Sequence, residues 1–411
     1  MKKIFYSILV FLLILLNFST VCADDVDNEV DFEDTIEVTA SNVSELPKTN
    51  SRRYIVYDRI SKSMIIGKNE DIKSAMASTT KIMTTIVILE KADLNETVTV
   101  SAKAGGTGGS RLGLKRGDKA SVRDLLYGLM LRSGNDAAVA LAEHVGGSVK
   151  EFAELMNEKA IELGLTNTHF VTPHGLDDAN HYTTALELAK LTDYAMNNET
   201  FSKIVGTKSI TIYINNQPRQ INNTNELLGV LNGVVGVKTG FTNNAGRCLV
   251  TETKRNNMDI ITIVLGADTK KDRTKDSVNL IEYTYSKYKM YNIEEKIIEE
   301  FNKWKNINEK RILITKGKQS NPKLALGAIE KAIIPICDDD KIEYSINALT
   351  EVEAPVEQWN VMGTVKLNGE ILESIEIVNV NEVQKRDWKD YFKIVLNRFE
   401  DMGKMLINQQ I

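Results

Sequence analysis

The sequence predicts an α+β fold: a domain built on an antiparallel sheet with helices, then a small all-β domain, then a C-terminal amphipathic helix. Three observations carry this prediction. Segments rich in β-branched residues lie at both ends of a long helical middle, so the first sheet is expected to be closed by its own termini. Further on, the pattern changes to short alternating strands. The last residues carry an apolar stripe at spacings of three and four.

At the N-terminus, Lys2-Lys3 precede an apolar run from Ile8 to Leu16, and Val21-Cys22-Ala23 leads into the acidic Asp24-Asp25. Residues 1–23 are read as a signal peptide, because the run is short for a bilayer span of roughly 20 residues. Val21 is bulky for the position before a lipidated cysteine, which argues against a lipoprotein. Residues 24–50 crowd acidic side chains with little apolar periodicity and are read as an extended linker.

Residues 51–290 are expected to form the first domain. Tyr54-Ile55-Val56-Tyr57 and Met64-Ile65-Ile66 read as paired strands. A helix carrying Ser78 follows, and helical patterns cover Val122 to Val145 and Lys150 to Leu163, the latter stopped by Gly164. Strands return at 209–213, 247–251 and 259–264. A charged helix is expected over Tyr285 to Asn306. The small β domain, 291–382, is read from 311–314, 341–346, 363–367 and 375–378.

In the last segment, 383–411, Trp388, Tyr391, Phe392, Val395, Phe399, Met402 and Leu406 fall on one helical face. An aromatic-rich terminal stripe after a complete β domain is read as a helix lying on a membrane surface rather than packed on its own domain.

Composition narrows the partners. With 51 Lys+Arg against 56 Asp+Glu and a net charge of -5, the chain lacks the basic excess of a nucleic-acid binder. Cys248 and Cys337 lie in different predicted domains, so no structural disulfide is expected. Glycine-rich Gly105 to Ser110 precedes no phosphate-type helix with Lys-Ser/Thr and is read as a mobile rim loop. His169, His174 and His181 match no zinc spacing, so no metal is assigned; His174 is placed in a loop bordering a cleft.

The chemistry centres on Ser78-Thr79-Thr80-Lys81. A serine one helical turn before a lysine brings amine and hydroxyl within hydrogen-bond reach, the arrangement of a nucleophile beside its base. Alone, the motif reads as a helix cap, and it recurs at Ser286/Lys289 and Ser320/Lys323. Two further elements separate Ser78 from those repeats. Ser133-Gly134-Asn135 is expected in a loop between helices, and Lys238-Thr239-Gly240-Phe241-Thr242 near a strand.

The order Ser-x-x-Lys, Ser-x-Asn, Lys-Thr-Gly is the signature of active-site serine penicillin-recognising enzymes. Residues 51–290 resemble the D-alanyl-D-alanine carboxypeptidases, the low-molecular-mass penicillin-binding proteins. Supporting stretches include Ser133-Gly134-Asn135-Asp136-Ala137-Ala138, Met156-Asn157, Thr172-Pro173-His174-Gly175-Leu176-Asp177-Asp178 and Ala245-Gly246. The chain after 290 resembles the family's β domain and terminal membrane-binding helix.

The resemblance implies a β-lactamase/transpeptidase-like catalytic domain that needs no cofactor. Its substrate would be a peptidoglycan stem peptide ending in D-Ala-D-Ala, with β-lactams as covalent inhibitors, acting outside the cytoplasm. Ser78 would be the nucleophile and Lys81 its base, neutral because a second cation such as Lys238 stands near. Ser133 and Asn135 would relay the proton and hold the substrate amide. Lys238 and Thr239, with Gly240, Phe241 and Thr242 beside them, would bind the terminal carboxylate, and the backbone N–H groups of Ser78 and Phe241 would form the oxyanion hole.

One departure stands out. Asn223-Thr224-Asn225 replaces an Asn-Arg-Asn that helps hold the carboxylate in some relatives, leaving Arg247 as either a substitute or a solvated strand residue. Rival readings are a β-lactamase built on Glu162 to Asn167, a cross-link endopeptidase, and a non-catalytic peptidoglycan-binding protein.

Overall fold

The computed structural model describes residues 45–329, 332–337, 343–367 and 374–408. The signal peptide and most of the acidic linker expected from sequence lie outside the described residues. The chain divides into two compact units, Met1–Tyr288 and Lys289–Ile411.

The first unit opens with antiparallel strands β1 (Arg53–Asp58) and β2 (Ser63–Lys68). A 3-10 turn, Ala77–Thr80, leads into α1 (Lys81–Lys91), so Ser78 stands in the turn and Lys81 is the first residue of the α-helix. The sequence placed Ser78 at the start of the α-helix itself. A small hairpin of β3 (Thr97–Thr99) and β4 (Lys119–Ser121) encloses the short α2 (Ala102–Gly105). The helical pattern from Val122 to Val145 forms two helices, α3 (Val122–Leu131) and α4 (Asn135–Gly146), with the turn expected between them at Ser133-Gly134, where Ser133 adopts a φ of +57°.

α5 (Val149–Glu162) ends before Gly164, whose φ of +68° supplies the left-handed stop expected from sequence. α6 (Ala185–Met196) and α7 (Glu199–Val205) complete the helical block. Local chemistry sets several of these starts. Ser121, Ser148 and Thr184 each accept from the backbone N–H of an acidic residue three positions on, satisfying a donor that the helix leaves free.

The hairpin β5 (Ser209–Ile214) and β6 (Gln217–Asn222) precedes three long strands, β7 (Val234–Thr242), β8 (Gly246–Arg255) and β9 (Met258–Ala267). The main sheet has the order β2-β1-β9-β8-β7, joining the first strands of the unit to its last and leaving β7 at an edge. α8 (Lys270–Lys287) follows.

Alternation along β8 shows how the sheet is covered. Cys248 and Val250 join the core shared with the helical block, whereas Leu249 joins a second cluster with Val278 and Ile281 of α8. Successive side chains of a strand point to opposite faces, so the sheet is a filled layer between the helical block and α8.

In the second unit, β10 (Tyr288–Asn292) pairs with a later strand, β13 (Ile333–Cys337), before α9 (Glu294–Asn308) begins. The continuous helix expected over Tyr285 to Asn306 is therefore interrupted, because long-range pairing overrides a local helical pattern. β11 (Leu313–Thr315) runs parallel to β15 (Glu351–Glu353). A four-stranded sheet has the order β12 (Leu324–Leu326), β17 (Ile375–Asn379), β16 (Val361–Leu367), β14 (Tyr344–Ala348). Ile297 and Phe301 of α9 pack with Ile314, Met362, Val365 and Ile377 as its core.

Val383 and Lys385 form bridges with Val356 and Gly317, and the terminal helix α10 follows from Trp388 to Asn408. Cys248 and Cys337 are both free thiols.

Candidate active site

The 3-10 turn before α1 fixes the centre of the site. Ala77, just ahead of Ser78, has a φ of +48°, a region that costs a residue with a side chain of order 1–3 kcal/mol and persists only where surroundings enforce it. Three elements enforce it. Gly240 of β7 lies so close that a Cβ there would stand 3.1 Å from the Ser78 nitrogen and 3.2 Å from the Ala77 Cβ. On another side Gly175, at a φ of +84°, has its missing Cβ position 1.9 Å from the Ala77 carbonyl oxygen. The turn itself holds through Thr79 and Thr80, whose hydroxyls donate to Met76 and Ala77 carbonyls.

Lys81 is completely buried while Ser78 is half-buried, so the amine lies beneath the hydroxyl. Lys81 Nζ is 2.7 Å from Ser78 Oγ, 2.8 Å from Asn135 Oδ1 and 2.9 Å from the His174 carbonyl oxygen. One turn further along α1, Thr84 donates to the Pro173 carbonyl at 2.7 Å, fixing the same loop. That loop is anchored at its start as well: Asn157 of α5 bonds both the carbonyl and the N–H of Phe170.

Asn135 opens α4 and joins two parts of the site. Its amide nitrogen donates to the Gly108 carbonyl and its backbone N–H to that of Ser110. The neighbouring Asp136, fully buried, accepts from the backbone N–H groups of Leu112, Gly113, Leu114 and Ala137. The glycine-rich segment read as a mobile rim loop is thus stitched to the Ser-Gly-Asn turn. Ser133 sits buried at the apex of that turn.

On β7, Lys238 and Thr239 are buried, and Lys238 Nζ donates to the Thr239 carbonyl at 2.9 Å. The Thr239 hydroxyl is 2.8 Å from that of Thr224, the middle residue of Asn223-Thr224-Asn225. Thr242 turns to the 174–178 loop, donating to Asp177 at 2.6 Å. Arg247 is not the solvated strand residue weighed from sequence: it is buried, with its guanidinium 3.8 Å from the ring centre of Phe241.

Two histidines of the 169–181 segment are buried beside this centre. Burial, and then the charge of Lys81, hold His174 down to about 3, so its ring is neutral near pH 7. Its Nδ1 accepts from the Leu176 N–H at 3.2 Å. Among the described residues no group of three or more His, Cys, Asp or Glu could hold a metal ion.

A half-buried serine over a buried lysine, flanked by an asparagine and an edge strand carrying Lys-Thr-Gly, is the geometry of a serine hydrolase of the Ser-x-x-Lys type. The family described as D-alanyl-D-alanine carboxypeptidase matches residues 39–269, and the chain belongs to it.

Among its relatives, D-alanyl-D-alanine carboxypeptidase DacF of Bacillus subtilis is 30% identical over 82% of this chain and 87% of its own length. DacC of Escherichia coli is 33% identical over 84% and 87%. The solved structure of penicillin binding protein 5 from Haemophilus influenzae superposes with a TM-score of 0.65 at 29% identity, covering 82% of this chain and 99% of that one. The Streptomyces K15 DD-transpeptidase gives 0.57 at 33% identity, over 59% of this chain and 99% of that one.

Proposed function

We propose that this chain removes the terminal D-alanine from peptidoglycan stem peptides through an acyl-enzyme on Ser78. The observation that carries the reading is the Lys81 amine 2.7 Å from the Ser78 hydroxyl, with carbonyl oxygens of Asn135 and His174 on its other side. A neutral amine donates its two hydrogens to those carbonyls and turns its lone pair to Ser78, ready to take the hydroxyl proton.

Ser78 Oγ attacks the carbonyl between the two D-alanines. The backbone N–H groups of Ser78 and Phe241 hold the oxyanion, which the close approach at Gly240 favours. The proton passes by way of Lys81 and Ser133 to the departing amine, and Asn135 binds the substrate amide. Lys238 and Thr239, with Thr224 bonded to the latter, receive the terminal carboxylate, and Thr242 closes that end of the strand. Water then hydrolyses the ester. A β-lactam, acylating the same serine, would remain attached for longer.

The enzyme is proposed to act outside the cytoplasm, on the membrane surface. No helix among the described residues is long and apolar enough to cross a membrane. On α10, however, Trp388, Tyr391, Phe392, Val395, Phe399 and Met402 are all exposed. Such a face favours a helix lying in the interface plane.

The test is D-alanine release from diacetyl-Lys-D-Ala-D-Ala by protein lacking residues 1–23, beside Ser78→Ala. Release by the parent alone is expected. Silence from a parent that still binds labelled penicillin would shift the reading to an endopeptidase or a binding protein. Co-sedimentation with lipid vesicles, lost on removing residues 388–411, tests the surface helix.

A further inference from the structure

The turn that aims Ser78 and the loop that holds Lys81 meet at one side chain outside all three motifs. His181 is buried. Its Nδ1 accepts from the backbone N–H of Val171 at 3.0 Å and, more weakly, from that of Thr172 at 3.4 Å. A ring nitrogen that accepts carries no hydrogen, so the neutral imidazole has its proton on Nε2. Nε2 is 2.8 Å from Thr80 Oγ1 and donates to it. The Thr80 hydroxyl directs its own hydrogen to the Ala77 carbonyl at 2.8 Å.

The direction of every bond in this chain is therefore fixed, from Val171 through His181 and Thr80 to Ala77. It ends on the residue of positive φ that precedes Ser78, and it begins in the segment whose His174 carbonyl receives Lys81. Phe170 packs its ring edge-on against the imidazole, with centroids 5.7 Å apart. Burial lowers the imidazole to about 4 against the opposing pull of Asp178, with the nearby His169 and Lys81 adding to the effect of burial. The ring is thus neutral near pH 7, as an accepting Nδ1 requires.

We propose that His181, acting through the Thr80 hydroxyl, is a positioning residue that sets the Ser78 turn against the loop beneath Lys81 for acyl transfer. It touches neither substrate nor Ser78. The inference rests on Ser78 as the nucleophile.

The experiment compares Thr80→Val, which keeps shape but loses the hydroxyl, with Thr80→Ser, which keeps it, and with His181→Gln. Rate constants for acylation by a fluorescent penicillin are measured separately from its non-covalent dissociation constant. A misplaced nucleophile should slow acylation about 10²-fold in Thr80→Val and His181→Gln, with the dissociation constant within about threefold of the parent and Thr80→Ser within about tenfold in rate. Acylation of Thr80→Val at the parent's rate would overturn the proposal. So would equal loss in the valine and serine variants, which would assign the effect to packing of the methyl.

Nitrogen NMR of the histidines in Ser78→Ala provides a reading independent of folding in the Thr80 variants. Two buried imidazoles with a bare Nδ1 and a protonated Nε2, His174 and His181, are expected, and an Nδ1–H tautomer at His181 would overturn the proposal. Failure of penicillin to label Ser78 in the parent would sink the nucleophile assignment, whereas the tautomer judges the His181 bracket by itself.

Discussion

Lys81 and Asn135 meet at 2.8 Å through the lysine amine and the asparagine side-chain carbonyl, and the His174 carbonyl takes up a second direction at 2.9 Å. These two acceptors point the amine's remaining position at Ser78. An arginine in place of Lys81 would remain protonated at any working pH and offer no lone pair to Ser78. Lys81→Arg is therefore expected to slow acylation by labelled penicillin by about 10²- to 10⁴-fold, the usual contribution of a general base. Stopped-flow acylation measures this; a loss below tenfold would point to another base.

Gly175 offers a test of the Ser78 turn from outside it. An alanine there would need a positive φ and would place its Cβ 1.9 Å from the Ala77 carbonyl oxygen, so the 172–175 loop must move away. Gly175→Ala is expected to lose about 10²-fold in acylation through misplacement of the serine. Penicillin titration with thermal melting checks it, and an unimpaired rate would show that the loop is not what holds the turn.

Asp136 should matter chiefly for stability and loop order. Its carboxylate accepts four backbone N–H groups in a fully buried setting. Asp136→Ala leaves these donors without their acceptor, for which a loss of about 3–5 kcal/mol is expected. Urea unfolding measures the loss, and proteolysis within residues 106–114 reports release of the rim loop.

Part of the site was legible in the sequence and part was not. Ser78, Lys81, Ser133, Asn135 and Lys238 to Thr242 could be read because each motif is spelled by neighbours in the chain. The linked strands of the first sheet could be read from their β-branched runs. Thr80 with His181 could not, since 101 residues separate them and neither type signals the other. The same holds for Thr224 with Thr239: the departure at Thr224 was visible, but not the hydroxyl it would meet. Short strands such as β10, β12, β13 and β15 escaped because pairing with distant segments, rather than composition, makes them strands.

Acid should weaken the fold through the buried histidines. His174 and His181 are held at about 3 and about 4, below the ordinary value of 6.5. The unfolded chain therefore binds protons that the folded chain refuses as pH falls below 6.5. Their contribution is fully present above pH 6.5 and is lost as pH falls toward 4 and then 3, by of order 1–3 kcal/mol for each imidazole. Melting curves from pH 7 to pH 4 should show the decline, and it should shrink in a folded His181→Gln variant. A flat profile would contradict neutral, buried rings.

The most direct test of the account is the site of covalent attachment. Protein incubated with penicillin, digested and mapped by mass spectrometry should carry one acyl group on the peptide containing Ser78, and Ser78→Ala should carry none. An adduct on Ser133, or on any residue that persists in Ser78→Ala, would contradict the assignment of Ser78 as nucleophile.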